Sequence, residues 1–405
     1  MKYAVCLYKY FPFGGLARDF MNIMRCCLQA DDTVDVYVME WQGEVPKPFN
    51  VQIIETHGWS NHARLQSYID QVLPQLHQGA YDLVIGFNKM PELDVYYAAD
   101  PCYIDRIRSH PLHGLLQFSG RVKFYKACEE AVFGKQSNTV SMMISDVQQT
   151  LFEDHYGTPK DRLVSLPPGI DRDRKRPQNT ELIRQQVRDE FNISADEWLL
   201  LMVGTGFKTK GVDRAIAALA NLPDAIKQQT KLMIIGDGDN RYLQRQAQQY
   251  GIDKQVKFLG GRSDIPRFLL AADLLIHPAR KENTGTVILE AMVAGLPSLV
   301  SDVCGYTKHV IRADAGLVIK NADSAQQTAL DLVEMLDKHK LQQWSEHALH
   351  YAATEDLYSM PQQAAAVIRS QAKQKGKNND NNGLGYRRCR IYWFAYLCSV
   401  IGSGL

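Results

Sequence analysis

WLLLMVGTGFKTKGV, residues 198–212, decides the architecture: an apolar run of strand length ends on a glycine-rich turn, and a helical segment begins near Val212. Buried parallel strands read as unbroken apolar runs, because helices cover both faces of their sheet. The same rhythm continues through KLMIIGDG (231–238), VKFLGG (256–261), DLLIHPA (273–279) and PSLVSDV (297–303). Working back toward the N-terminus, KYAVCLY (2–8), VDVYVM (34–39), VQII (51–54), DLVIGF (82–87), TVSMMIS (139–145) and LVSLPPG (163–169) repeat it. The class is α/β, with strands alternating with helices.

Between the two series lies PPGIDRDRKRPQNT (167–180), where proline and charge oppose both sheet and helix. The hinge is placed there, giving one domain over 1–170 and a second over 171–372. A chain of 405 residues exceeds the usual limit of one core, so two Rossmann-like domains facing a cleft are expected. The segment 325–371 reads as mostly helical and is a candidate to fold back on the first domain. From Lys373 a polar, low-complexity stretch precedes YRRCRIYWFAYLCSVIGSGL, a tail that carries either an interfacial anchor or an altered reading frame and is assigned no function.

The charges balance at +1, which argues against a polyanion-binding protein such as a nucleic-acid binder. Eight cysteines without CxxC spacing fit a reducing compartment. The N-terminal apolar run is cut short by Lys9 and Pro12, and no interior stretch reaches the roughly 20 apolar residues of a membrane span. A cytoplasmic protein is expected.

GTGFKTKG (204–211) suits a phosphate: its glycines let backbone amides face a bound group, and Lys208 and Lys210 add positive charge. It is neither a Walker loop nor a dinucleotide fingerprint, and an ordinary strand-to-helix turn explains the glycines equally well. More informative is KENTGTVILEAMVAGLPSLVSD (281–302), in which Gly285 opens a helix and Gly295 with Pro297 closes it. Glu282 precedes the helix start and Glu290 lies within it. Free amides at a helix start suit a diphosphate or sugar hydroxyl oxygens, and carboxylates beside them can accept hydrogen bonds from paired hydroxyls, which points to sugar chemistry. The alternative reading makes Glu282 a surface acid and Glu290 a solvated helix residue.

The two glutamates, with seven residues between them, follow HPA and precede A-x-x-A-G-x-P; this resembles the nucleotide-site signature of retaining glycosyltransferases of the GT-B fold. YKYFPFGGLARDF (8–20), GFNKMPELDVYYAADPCY (86–103), PPGIDRDR (167–174) and CGYTKHVI (304–311) narrow the resemblance to the lipopolysaccharide core glucosyltransferases that add the first glucose to inner-core heptose. It extends from about residue 1 to about residue 370.

The resemblance implies that Glu290 binds the ribose hydroxyls and that Glu282 contacts the transferred sugar. Asn283, Thr284, Gly285 and Thr286 would lie against sugar and diphosphate, with Lys210, Arg174 and Arg262 around the diphosphate and Gly15 and Asp19 facing the donor. Thr209 stands where the family carries arginine, and Lys208 is the candidate substitute. Asp100 is either the helper that orients or deprotonates the acceptor, or a turn-forming residue before Pro101.

UDP-glucose is the implied donor substrate, with no cofactor or metal required. The implied acceptor is a lipid-linked core oligosaccharide on the cytoplasmic face of the inner membrane, so peripheral association is expected. Residues 103–132 intersperse Arg106, Arg108, Arg121, Lys123 and Lys126 with Leu112, Leu115, Leu116, Phe118, Phe124 and Tyr125. That pattern fits an interfacial segment and equally an amphipathic helix packed on the sheet. The rival functions are a sugar-nucleotide epimerase, a transferase with another hexose donor, and a non-catalytic nucleotide-sugar or lipid-binding module.

Overall fold

The computed structural model describes residues 1–12 and 14–381. Two parallel sheets organise it. The first contains β1 (Lys2–Cys6), β2 (Thr33–Val38), β3 (Phe49–Ile53), β4 (Leu83–Gly86), β5 (Val95–Ala98), β6 (Val140–Met143) and β7 (Leu163–Ser165), in spatial order 3-2-1-4-5-6-7. The second contains β8 (Trp198–Val203), β9 (Thr230–Ile235), β10 (Val256–Phe258), β11 (Leu274–His277), β12 (Ser298–Val300) and β13 (Gly316–Val318), in order 10-9-8-11-12-13. Both follow the doubly wound Rossmann order, as the resemblance implied.

The central strands β4, β5 and β11 are buried at every position, which accounts for their continuous apolar runs. Two strands of these sheets fall outside the runs singled out in the sequence, apart from the small Lys9–Tyr10 and Glu40–Trp41 pair. VYYA at 95–98 forms β5, deep in the first sheet, and the short, half-buried Gly316–Val318 forms the edge strand β13.

The chain crosses between halves twice, side by side. Ile170 N–H donates to the Leu357 carbonyl at 2.8 Å, and Met360 N–H donates to the Pro168 carbonyl at 3.2 Å. A Cβ on Gly169 would come within 2.9 Å of Met360 Cβ, so glycine permits this close crossing. The Met360–Asn381 helix then returns to the first half, where Met360, Ala364, Ala365 and Ile368 enter the core beside the Gly15–Cys27 helix. Arg369 donates to the Cys26 carbonyl at 3.1 Å, and Lys375 pairs with Asp94 at 2.6 Å.

Residues 373–381 therefore continue a helix and do not form the linker expected from their composition. Burial of Ala372 and the Lys375–Asp94 pair hold that turn against the sheet. The tail after Asn381, including the apolar run expected from Ile391, lies outside the described residues. Among the described residues no helix is long and apolar enough to cross a membrane, and the six described cysteines are free thiols.

Candidate active site

Strand order reverses between β1 and β4 in the first sheet and between β8 and β11 in the second, and ligands of open α/β sheets bind outside the carboxyl ends of such strands. The loop after β8 carries Lys210 and the loop after β11 carries Glu282, so topology brings together residues 72 positions apart. They line a cleft of about 560 Å³, with Gly204, Asp237, Arg262 and Thr286 among its other walls. Gly211, at φ +75°, makes the approach of the two loops possible. A Cβ there would lie 2.1 Å from the Pro278 carbonyl oxygen.

Lys210 Nζ and Glu282 Oε2 form a direct ion pair, and His277 Nε2 lies 3.4 Å from the same oxygen. Burial would raise the Glu282 carboxyl, but the His277 ring and the Lys210 ammonium outweigh it and hold the group down to about 2. Glu282 is thus ionised at neutral pH and available to accept hydrogen bonds. Gly285, at φ +81°, turns the chain into the Thr286–Ala294 helix; a Cβ there would meet Ile288 Cδ1 at 3.0 Å. The start of that helix, whose first amides have no intrahelical partners, lies on the cleft wall with Glu282, Gly285 and Thr286.

The Thr286–Ala294 helix is buried from Val287 to Ala294, Glu290 included. Glu290 is therefore not the solvated residue of the alternative reading. Its Oε1 lies 3.4 Å from Arg18 Nη1 across the interdomain crevice and 3.9 Å from Arg174 Nε. Arg18 also approaches Asp171 at 3.5 Å and Asp19 at 4.0 Å. Asp19, Tyr97, Thr284, Thr286 and Tyr306 line a smaller interdomain cavity that shares both threonines with the main cleft. Tyr97 donates to Asp19 at 2.9 Å; burial pushes the Asp19 carboxyl up to about 6 against the pull of Arg18 and Tyr97.

Asn283 Nδ2 donates to the Ala99 carbonyl at 2.5 Å, joining the Glu282 loop to the end of β5. Asp100 follows directly, its Oδ2 accepting from Asn88 at 3.4 Å. Burial raises its carboxyl, opposed by Lys89. Gly15 begins the Gly15–Cys27 helix with open space where a Cβ would stand.

Three expected positions differ. Lys208 is exposed and outside the cleft: the Phe207–Lys210 helical turn points residues two apart to different sides, and Arg280 ties down the Lys208 carbonyl at 3.1 Å. Arg174 lies on Glu290 and does not line the Lys210 cleft. Arg262 does line it, but its guanidinium is forked to Asp264 at 2.7 and 2.8 Å.

Arg18, His277, Tyr97 and Tyr306 were missed. His277 stood in the HPA motif with a detectable signal, a histidine ending a buried strand. The other three acquire their roles only through contacts across the fold. Among the described residues no group of three or more His, Cys, Asp or Glu is placed to hold a metal ion.

Lipopolysaccharide glucosyltransferase WaaG of Escherichia coli (strain K12) is 41% identical over 366 residues, covering 90% of this chain and 98% of that protein. The chain belongs to the lipopolysaccharide glucosyltransferase family. Residues 183–350 match the family model "Glycosyl transferases group 1", which spans the Lys210–Glu282 cleft and Glu290. The crystal structure of WaaG, a glycosyltransferase involved in lipopolysaccharide biosynthesis, superposes with a TM-score of 0.85 at 40% identity, covering 90% of this chain and 99% of that one. Anabaena Alr3699/HepE in complex with UDP and glucose shares the fold, with a TM-score of 0.70 at 20% identity, over 91% of this chain and 100% of that one. This family member is a glycosyltransferase of the GT-B fold, and the epimerase and binding-module alternatives are not favoured.

Proposed function

We propose that this enzyme transfers glucose from UDP-glucose to the inner-core heptose of lipopolysaccharide, with retention at the anomeric carbon, at the cytoplasmic face of the inner membrane. The observation that carries the reading is the Lys210–Glu282–His277 cluster at the switch point of the second sheet, beside the start of the Thr286–Ala294 helix.

In this reading Glu282, kept ionised by its two partners, accepts hydrogen bonds from the hexose hydroxyls, and Glu290 takes the ribose. Lys210, Arg262 and the amides from Gly285 onward receive the diphosphate. As the bond from the anomeric carbon to the phosphate oxygen breaks, they stabilise the negative charge that collects there. The new bond forms to the heptose oxygen on the same face, and the proton of that hydroxyl passes to the departing phosphate. Asp100, at the end of β5 and next to Asn283, orients the acceptor, while Asp19 faces the donor from the first half.

Membrane contact comes from residues 103–132, whose two sequence readings divide by segment. Ile104, Ile107, Val122 and Phe124 are buried in the first core, whereas Leu112, Leu115 and Phe118 are exposed.

Incubation with UDP-glucose and a heptose-terminated core lipid, followed by mass analysis, tests the proposal. Expected are lipid heavier by one hexose and an equal amount of UDP. Consumption of UDP-glucose without a glucosylated lipid would contradict it.

A further inference from the structure

Trp59 is the most exposed large apolar side chain among the described residues, at 107% relative exposure. Gly58, at φ +139°, tucks the backbone against the start of the Asn61–Gln78 helix so closely that a Cβ would lie 2.8 Å from Ala63 Cβ. Ser60 caps that helix by accepting from Ala63 N–H at 3.3 Å and bonds His62 Nδ1 at 2.9 Å. The backbone on either side of Trp59 is thus held, and the indole stands exposed between the two held residues.

The loop borders the 103–132 region. The His62 ring stands 6.5 Å from that of Phe124, and a Cβ on Gly120 would lie 3.7 Å from His62 Nε2. Trp59 and Phe118 therefore flank one contact, each within three residues of it. Phe118 is 70% exposed and Leu115 is 75% exposed, and the basic Arg121 and Lys123 are exposed on the adjoining helix.

Isolated apolar side chains on a surface are ordinary; exposed aromatic and leucine side chains on two chain segments that meet at one contact, with cations alongside, point instead to a shared interaction surface. Indole suits the headgroup level of a bilayer because it combines a large apolar face with one N–H donor. We infer that Trp59 is a second, sequence-distant anchor of the membrane-binding surface, seating in an anionic lipid interface alongside Leu115 and Phe118. This rests on the membrane contact proposed for residues 103–132. The occupant is a lipid surface because the exposed cations beside the patch complement anionic headgroups.

The test uses the full chain and vesicles of phosphatidylethanolamine and phosphatidylglycerol with brominated acyl chains. Wild-type tryptophan fluorescence should be quenched on binding, and Trp59→Phe should lose most of that quenching while still binding. Trp59→Ala should partition about tenfold more weakly, as expected for loss of a large interfacial apolar area. Its melting temperature and its turnover on a detergent-dispersed acceptor should be unchanged.

Equal partition of Trp59→Ala and wild type, or undiminished quenching in Trp59→Phe, overturns the inference while leaving the 103–132 reading intact. A wild type that binds no vesicles overturns both. Self-association in solution that Trp59→Ala abolishes, without an effect on vesicle binding, would assign the patch to a second copy and also overturn it.

Discussion

Asp19 and Glu282 are both largely buried carboxylates near the carboxyl edge of a Rossmann-ordered sheet, one in each half, yet Asp19 is pushed up to about 6 and Glu282 is held down to about 2. Burial raises both. What separates them is the placement of positive charge: Lys210 pairs directly with Glu282 and His277 stands beside it, whereas Asp19 has Arg18 at 4.0 Å, shared with Asp171 and Glu290. One doubly wound frame thus supports a carboxylate that is ionised at neutral pH in the second half and a carboxyl raised to about 6 in the first.

The strongest way to break the comparison is Glu282→Ala. It should lower glucosyl transfer about 10²-fold or more with an unchanged melting curve, because its loss removes the group proposed to contact the transferred sugar. Turnover at the wild-type rate would remove Glu282 from the site. Lys210→Ala should weaken UDP-glucose binding roughly 10- to 100-fold by calorimetry, since the cation proposed to hold the diphosphate disappears and Glu282 loses its ion-pair partner. Unchanged affinity would place the diphosphate elsewhere.

Asp19 sharpens the other side. Its folded carboxyl titrates above the usual 3.8 of an aspartate, so the folded state binds more protons than the unfolded chain between that value and about 6. Stability should therefore fall as pH rises through this window. The shift corresponds to about 3 kcal/mol at pH 8, a penalty that Asp19→Asn removes. Thermal unfolding from pH 4 to pH 8 should show wild type losing stability relative to Asp19→Asn; parallel curves would show that Asp19 is not perturbed. The smallest effect is expected for Lys208→Ala, whose turnover should stay within about twofold of wild type because the side chain is exposed and off the cleft. A large loss would return Lys208 to the diphosphate.

Much of this was legible in the chain because it is local. Strand, glycine turn and helix appear in order around Lys210, and Gly285 and Gly295 bracket the Thr286–Ala294 helix as its left-handed caps. The Arg18–Glu290 contact spans 272 positions and leaves no local trace. The return of the Met360–Asn381 helix onto the first sheet was only a candidate, because its buried alanines carry little periodic signal. Lys208 failed because Phe207–Lys210, read from the sequence as part of a glycine-rich turn ahead of a helix near Val212, forms a helical turn of its own, on which residues two apart do not face one direction.

The central claim is that the second half grips a sugar nucleotide between Lys210 and the Glu282 loop, and a crystal structure with UDP-glucose bound tests it most directly. The account predicts diphosphate oxygens within hydrogen-bonding distance of Lys210 and of the amides beginning the Thr286–Ala294 helix, with a hexose hydroxyl on Glu282. A nucleotide seated on the first sheet, or a hexose beyond reach of Glu282, would contradict it.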